Sequence, residues 1–136
     1  MTDTQQLLPH LMFQNGRAEE AMNFYVELFD GEVLMLQRYG DETPDMNGKV
    51  QIATLRIAGL ELNVMDSPVP HEFDFTPSMS LSFRCESEDE LDRMYQALLE
   101  GGQAMMPKND YGFAPFAWLN DRYGVSWQLN VTPHHE

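Results

Sequence analysis

The chain has 136 residues, a length that suits one compact domain with its own apolar core. Eight Lys and Arg residues against 22 Asp and Glu residues give a formal net charge of −14, which repels phosphate backbones and anionic lipid and so excludes nucleic acids and membranes as expected partners. The single cysteine, Cys85, excludes an internal disulfide, and neither a signal peptide at Met1 to Gln6 nor an apolar run of about 20 residues is present, so we expect a cytoplasmic protein.

The first half of the chain combines strand-like and helical patterns. Alternating apolar residues predict four strands in this half: Leu8–Gln14, Glu32–Arg38, Val50–Ile57 and Leu60–Met65. A helix is predicted over about 17–29, with Asn15 as its N-cap and Gly31 as the glycine that ends it. Its apolar stripe consists of Ala18, Ala21, Phe24, Tyr25 and Leu28. Ala58-Gly59 predicts a hairpin turn between the last two strands.

A proline-rich linker, residues 67–77, separates this half from a second one with the same order of patterns. Strands are predicted at Ser78–Cys85 and Gly124–Val131. Between them, Ser87 and Glu90 form a capping box that predicts the start of a helix, and Gly101-Gly102 predicts its end. The apolar stripe of this helix consists of Leu91, Met94, Tyr95, Leu98 and Leu99.

The two halves also match each other in sequence. His10–Gln14 matches Ser80–Arg84 at an offset of 70 residues, and the same offset pairs Gly31 with Gly101. Glu61–Val64 matches Gln128–Val131 at an offset of 67. We therefore predict a single domain, 1–136, with a duplicated βαβββ unit: a first module at 7–66 and a second at 78–132. The predicted class is α+β, with a curved, mainly antiparallel eight-strand sheet and helices on its outer face.

Alternation predicts which strand residues face away from the helices. That face carries hydroxyls, amides, an imidazole and a carboxylate, which suit the orientation of a ligand better than a dry core. We predict a small-molecule pocket there; the alternative is a polar face that is simply solvated. The candidate site residues are His10, Met12, Glu61, Asn63, Ser80, Ser82, Ser126 and Gln128.

Over nearly its whole length the chain resembles the vicinal oxygen chelate superfamily of glyoxalase, bleomycin-resistance and ring-cleaving dioxygenase proteins, and the segments 15–25 and 119–128 look like one branch of it. The stretch Asp121–Gln128 is similar to its PhnB-like branch, often labelled 3-demethylubiquinone-9 3-methyltransferase. The resemblance implies paired βαβββ modules and a small organic molecule as binding partner. It also implies a homodimer, which would cover the open edges of an eight-strand sheet.

The resemblance further implies four metal-ligand positions, which fall on His10, Glu61, Ser80 and Gln128. The His and the Glu match the ligands that metal-dependent members use, whereas the Ser and the Gln are weak neutral donors. We therefore expect no stoichiometric metal, and at most a weakly bound divalent metal on His10 and Glu61. An alternative for His10 is an imidazole bonded to a neighbour, and Glu61 without a metal is a candidate base.

The leading functional prediction is a small-molecule-binding PhnB-like protein, in which Trp118 covers the ligand; ordinary core or dimer contact is the alternative role for this aromatic residue. The alternative function is a metal-assisted isomerase, lyase or dioxygenase in which His10 and Glu61 are catalytic. Methyl transfer, as in the label of the branch, is not favoured by the residues, because no glycine-rich strand-to-helix turn of a parallel sheet is present to bind a donor. Cys85 is predicted to be a buried structural thiol.

Overall fold

A computed structural model describes residues 5–112 and 114–131. The chain divides after Phe73, inside the predicted linker, into two units, and the predicted end of the second module at Thr132 lies outside the described residues. In the first unit the elements are β1 (His10–Phe13), α1 (Ala18–Leu28), β2 (Glu32–Arg38), a 3-10 turn (Pro44–Met46), β3 (Val50–Ile57) and β4 (Leu60–Asp66). In the second unit they are β5 (Leu81–Cys85), α2 (Glu88–Leu99), β6 (Gln103–Asp110), β7 (Pro115–Asn120) and β8 (Ser126–Val131).

Each unit contains a four-stranded mixed sheet, with the strand orders β1-β4-β3-β2 and β5-β8-β7-β6. The first strand of each unit runs parallel to the last one, and all other neighbours are antiparallel. The predicted α+β class, with two helices and eight mainly antiparallel strands, is confirmed. Over the described residues, however, the strands hydrogen-bond as two sheets of four rather than as one sheet of eight.

The strand boundaries differ most from the predictions where side chains or prolines interrupt the backbone ladder. β2 and β3 have the predicted limits, whereas β1, β5 and β8 are shorter. Ahead of β1, the amide group of Gln5 takes the place of a backbone partner: its Nε2 donates to Glu61 O at 2.7 Å, and Glu61 N donates to its Oε1 at 3.1 Å. β6 and β7 lie where no strand was delimited, because Pro107 and Pro115 interrupt the alternating pattern.

The N-terminus of α1 is capped from a distant strand. Asn15, the predicted cap, lies in the left-handed region at φ +66, and Arg17 precedes the helix without a capping side chain. Instead, Asp66 at the end of β4 accepts hydrogen bonds from Ala18 N at 2.8 Å and from Val50 N at 3.0 Å. The prediction of Asn15 was wrong because this buried carboxylate, 48 residues away, satisfies the first helical amide.

The capping box of α2 is confirmed, but one of its two hydrogen bonds is shifted by one residue. Ser87 Oγ accepts a hydrogen bond from Glu90 N at 3.1 Å, as predicted. The carboxylate of Glu90 accepts from Glu86 N at 2.7 Å, one residue earlier than in the standard box.

The helix ends correct the predicted pairing of Gly31 with Gly101. Asp30 and Gly101 take the left-handed conformation, at φ +52 and +77. Gly31 and Gly102 instead lie against the backbone of a neighbouring strand. A Cβ added to Gly31 would be 2.2 Å from Arg56 O, and one added to Gly102 would be 2.1 Å from Asn120 O. The equivalent glycines are therefore Gly31 and Gly102, because α2 is one residue longer than α1.

The register of the parallel pairs also corrects the predicted equivalence of site residues. β1 and β4 end together at the pair Phe13–Asp66, and β5 and β8 end together at the pair Cys85–Val131. When these ends are aligned, the pair His10–Asn63 corresponds to Ser82–Gln128. The two sequence offsets, which placed Ser80 and Gln128 at the positions of His10 and Glu61, are therefore inconsistent with the register.

Each helix covers one face of its sheet. The buried members of the predicted helical stripes are Ala18, Ala21, Tyr25, Leu91, Met94 and Leu98, whereas Phe24, Leu28, Tyr95 and Leu99 are only partly buried. Within the described residues, no helix is long and apolar enough to cross a bilayer. The core residues include Phe13, Ala21, Met22, Tyr25, Leu55, Leu62 and Val64 in the first unit, and Leu91, Met94, Leu98, Leu119, Trp127 and Leu129 in the second.

Cys85 belongs to this core, with an exposed fraction of 0%, as the sequence predicted. Burial raises the pKa of its thiol from 9.0 to about 12. Above pH 9 the unfolded chain loses this proton while the folded chain keeps it, so we expect the free energy of unfolding to fall as the pH rises from 9 towards 12. Urea unfolding at several pH values measures this slope, and Cys85→Ala should flatten it; an equal slope in both proteins would contradict the assignment.

Candidate functional site

In the first unit, the face of the sheet away from α1 carries four of the predicted residues. His10 is exposed on β1 and lies opposite Asn63 on β4 in the parallel register. Asn63 Oδ1 accepts a hydrogen bond of 2.6 Å from Thr54 Oγ1, which fixes the orientation of the amide. Met12 lies opposite Met65, and both side chains are partly buried.

Glu61, the predicted acid or base, is engaged by an arginine that sequence reasoning did not include. Arg56 Nη2 donates to Glu61 Oε2 at 3.0 Å, and Arg56 Nη1 donates to Glu32 Oε2 at 2.8 Å. The hydrogen bond to Glu61 raises the pKa of Arg56 above its ordinary value. The Glu61 side chain is 22% exposed, the most buried of the three. The observed partner of the Glu61 carboxylate is therefore Arg56.

These contacts test the fit of the metal site that the resemblance implies. A divalent metal on His10 and Glu61 would share the Glu61 carboxylate with the guanidinium of Arg56, whose positive charge opposes a second cation beside it. The residue opposite His10 is Asn63 rather than Glu61. Among the residues that the structure describes, no group of three or more His, Cys, Asp and Glu side chains is placed to hold a metal ion. The residues do not fit a metal centre.

In the second unit, the face away from α2 carries a chain of three hydrogen-bonded side chains. Trp118 Nε1 on β7 donates to Ser126 Oγ at 2.9 Å, and Ser126 Oγ lies 2.6 Å from Ser80 Oγ. Ser126 is only 2% exposed, and its hydroxyl oxygen is shared between Trp118 and Ser80. Ser80 and Trp118 are partly exposed at the two ends of the chain.

Gln128 lies on the same face, next to the hydrogen-bonded side chains. It lies opposite Trp118 on β7 and opposite Ser82 on β5, and its side chain is partly exposed. The predicted residues are thus brought together in two sets, one on each unit. The sets are His10, Met12, Glu61 and Asn63 in the first unit, and Ser80, Ser82, Trp118, Ser126 and Gln128 in the second.

The contact between Arg56 and Glu61 had a signal in the sequence. A two-residue turn at Ala58-Gly59 is flanked by the pair Ile57 and Leu60, and it places the next residue on each side, Arg56 and Glu61, directly opposite each other. An Arg and a Glu at those positions form a cross-strand ion pair. Asp121 had no such signal: it is 3% exposed and accepts hydrogen bonds from Tyr123 N, Val125 N and Trp127 Nε1.

The duplicated fold, with a polar face on each sheet, agrees with the comparison to family models. The model of the 3-demethylubiquinone-9 3-methyltransferase family matches residues 5–130. The chain belongs to this family. No curated protein matches the chain.

Solved structures of similar proteins have the same fold. A PhnB protein from Bacillus cereus is 46% identical, with a TM-score of 0.90 over 94% of this chain and 100% of the other. A protein from Pseudomonas aeruginosa is 30% identical, with a TM-score of 0.80 over 94% and 98%. A glyoxylase/bleomycin resistance protein/dioxygenase domain from Frankia is 16% identical, with a TM-score of 0.69 over 99% and 96%. The family therefore shares the fold of the glyoxalase and bleomycin-resistance superfamily.

Proposed function

We propose that this family member binds a small organic molecule on the face of its second sheet that carries Ser80, Ser82, Trp118 and Gln128. The single observation that carries the proposal is the hydrogen-bonded chain from Trp118 through Ser126 to Ser80. The 46% identical PhnB protein supports the family assignment and not the choice of ligand.

The chemistry of the three groups gives this chain a direction. An indole nitrogen only donates, so Ser126 Oγ accepts from Trp118 Nε1. Either hydroxyl can donate across the 2.6 Å between Ser126 Oγ and Ser80 Oγ; because Ser126 is buried and its proton needs an acceptor, we assign Ser80 Oγ as that acceptor. In this arrangement the proton of Ser80 points away from Ser126. Successive hydrogen bonds polarise one another, which makes Ser80 a stronger donor than an isolated serine.

The ligand class follows from the donor and its surroundings. A donor hydroxyl calls for an acceptor oxygen, such as that of a carbonyl or a carboxylate. The same face carries the aromatic side chains of Trp118 and Phe116, whose neighbours Ala117 and Leu119 are buried on the opposite face. Aromatic rings of this kind favour a planar ligand. We therefore propose a planar carbonyl or carboxylate compound, oriented by Ser80 and Gln128.

Catalysis through a metal is not part of the proposal, because the carboxylate of Glu61 is bound to Arg56. Within the described part of the chain, methyl transfer also has no supporting contact. The first amide of α1, at the strand-to-helix turn where such a donor would be bound, is bonded to the carboxylate of Asp66.

Titration with simple probes tests the proposal. We expect benzoate or acetophenone, but not toluene, to shift the indole N–H resonance of Trp118 in a nitrogen–proton correlation spectrum. Loss of one hydrogen bond costs about 1 kcal/mol, so Ser80→Ala should weaken probe binding by about fivefold. Ser78→Ala is the matched control, because this exposed hydroxyl hydrogen-bonds only to Thr76 among the described residues. Equal affinity of the Ser80→Ala protein and the parent, or shifts confined to the buried Trp127, would refute the site.

A further inference from the structure

The polar face of the second sheet is arranged in three rows that cross β5, β8 and β7. Successive rows use alternate positions of each strand, because alternate side chains share a face. The rows are Ser80, Ser126 and Asn120; Ser82, Gln128 and Trp118; and Arg84, Asn130 and Phe116. A strand rises about 3.3 Å per residue, so the first and third rows are about 13 Å apart at Cα. The face therefore has a serine end and an arginine end.

Arg84 is the only charged residue in the three rows. It is exposed, and within the part of the chain that the structure describes it forms neither an ion pair nor a side-chain hydrogen bond. Arg93 and Lys108 of the same unit instead pair with carboxylates of α2, which covers the other face of the sheet. The chain has 22 Asp and Glu residues for eight Lys and Arg residues, so a guanidinium that none of these carboxylates binds is free to bind a ligand.

The neighbours of Arg84 suit a carboxylate attached to an aromatic ring. Asn130 lies directly opposite Arg84 on β8, is partly exposed, and has an amide group with two N–H donors. Phe116 is the next residue across the sheet, and Trp118 lies on the same face one row away. An arginine binds both oxygens of a carboxylate, and this charge-assisted pair is stronger than a neutral hydrogen bond.

We infer that Arg84 selects a ligand with a carboxylate at the end opposite to the carbonyl group that Ser80 binds, that is, an aromatic keto acid. The inference rests on the proposed function, which supplies the contact between Ser80 and the carbonyl oxygen. Arg84 and Asn130 bind the carboxylate, and the ring of the ligand lies over the row of Trp118. The side chains of Ser80 and Arg84 span part of the distance of about 13 Å, and one benzene ring with two para substituents spans the rest.

Titration with two probes tests the role of Arg84. The compounds para-methylacetophenone and para-acetylbenzoate have the same carbonyl group and nearly the same shape, but only the second is charged. At about 0.15 M salt, charges beyond about 8 Å are screened whereas a contact pair is not. We therefore expect para-acetylbenzoate to bind at least about fivefold more tightly, measured from the shift of the indole N–H resonance of Trp118.

Three variants locate the preference for the charged probe. Arg84→Gln should abolish it. Asn130→Asp should abolish it too, because a carboxylate at this position lies directly opposite Arg84 and competes with the ligand. Arg93→Gln is the matched control: it removes the same charge from an exposed position on α2, so the preference should persist. Circular dichroism checks that each variant is folded.

The outcomes separate this inference from the proposed function. If neither probe shifts the Trp118 resonance, both are overturned. If para-methylacetophenone binds but para-acetylbenzoate binds no more tightly, or if Arg84→Gln retains the preference, only the role of Arg84 is refuted. An equal loss in Arg84→Gln and Arg93→Gln also refutes it, because the preference then depends on the net charge of the chain and not on one contact.

Discussion

Asp121→Ala is expected to destabilise the second unit by about 4 kcal/mol. The carboxylate accepts hydrogen bonds from two backbone amides, Tyr123 N at 2.9 Å and Val125 N at 3.0 Å, and from Trp127 Nε1 at 2.9 Å. Alanine leaves three donors without an acceptor in a site that is 3% exposed, and each buried unsatisfied donor costs about 1–3 kcal/mol. The turn that connects β7 to β8 depends on the same carboxylate.

Urea unfolding followed by tryptophan fluorescence measures this loss, since one of the three donors is the indole of Trp127. Asp74→Ala is the control, because this aspartate is exposed and bonds only to the amide of Phe75 among the described contacts. Its cost should stay within about 0.5 kcal/mol, the usual range for a surface substitution. Equal unfolding midpoints for Asp121→Ala and the parent would show that the hydrogen bonds contribute nothing.

Gly102→Ala is expected to cost about 3 kcal/mol for a different reason, which is contact with backbone. A Cβ at this position would lie 2.1 Å from Asn120 O and 2.9 Å from the carbonyl carbon of Asp121. Neither atom belongs to a flexible side chain, so α2 and the end of β7 have to separate, and overpacking of this kind costs about 1–3 kcal/mol or more.

Gly59→Ala separates this steric effect from conformational strain. Gly59 has φ +82 but no atom within 4 Å of an added Cβ, so its substitution should cost only the left-handed penalty of about 1 kcal/mol. Thermal unfolding of the two variants gives the comparison. A smaller loss for Gly102→Ala than for Gly59→Ala would show that the close approach to Asn120 relaxes without cost.

For the candidate site, the sequence predicted which face of the sheet each side chain lies on, but not which side chains hydrogen-bond to each other. Alternation correctly placed Asn63, Ser80 and Gln128 on the faces away from the helices. It did not show that Ser126 is buried between Ser80 and Trp118, because alternation gives the direction of a side chain and not its depth in the sheet. The pairing of Glu61 with Arg56 was within reach of hairpin geometry once the turn was recognised.

The internal repeat shows a similar division. Its existence was readable from matched helices, glycine stops and strands, and the structure contains two units with the same strand order. The residue equivalences could not be read from the sequence, because one extra residue in α2 and different connections between strands change the offset along the chain. Hydrogen-bond register counts residues across a strand pair, so it pairs His10 with Asn63 and Ser82 with Gln128 independently of any insertion.

The sequence by itself determined the helices, the turn at Ala58-Gly59, the cap at Ser87, the burial of Cys85 and the family, because each depends on residues close together in the chain or on a continuous motif. Only the tertiary structure decided the features that join distant residues. Asp66 caps a helix that begins 48 positions earlier, and Arg56 holds Glu32, which lies 24 positions before it. Such contacts depend on the register and depth at which strands pack, which the pattern of a single strand does not contain.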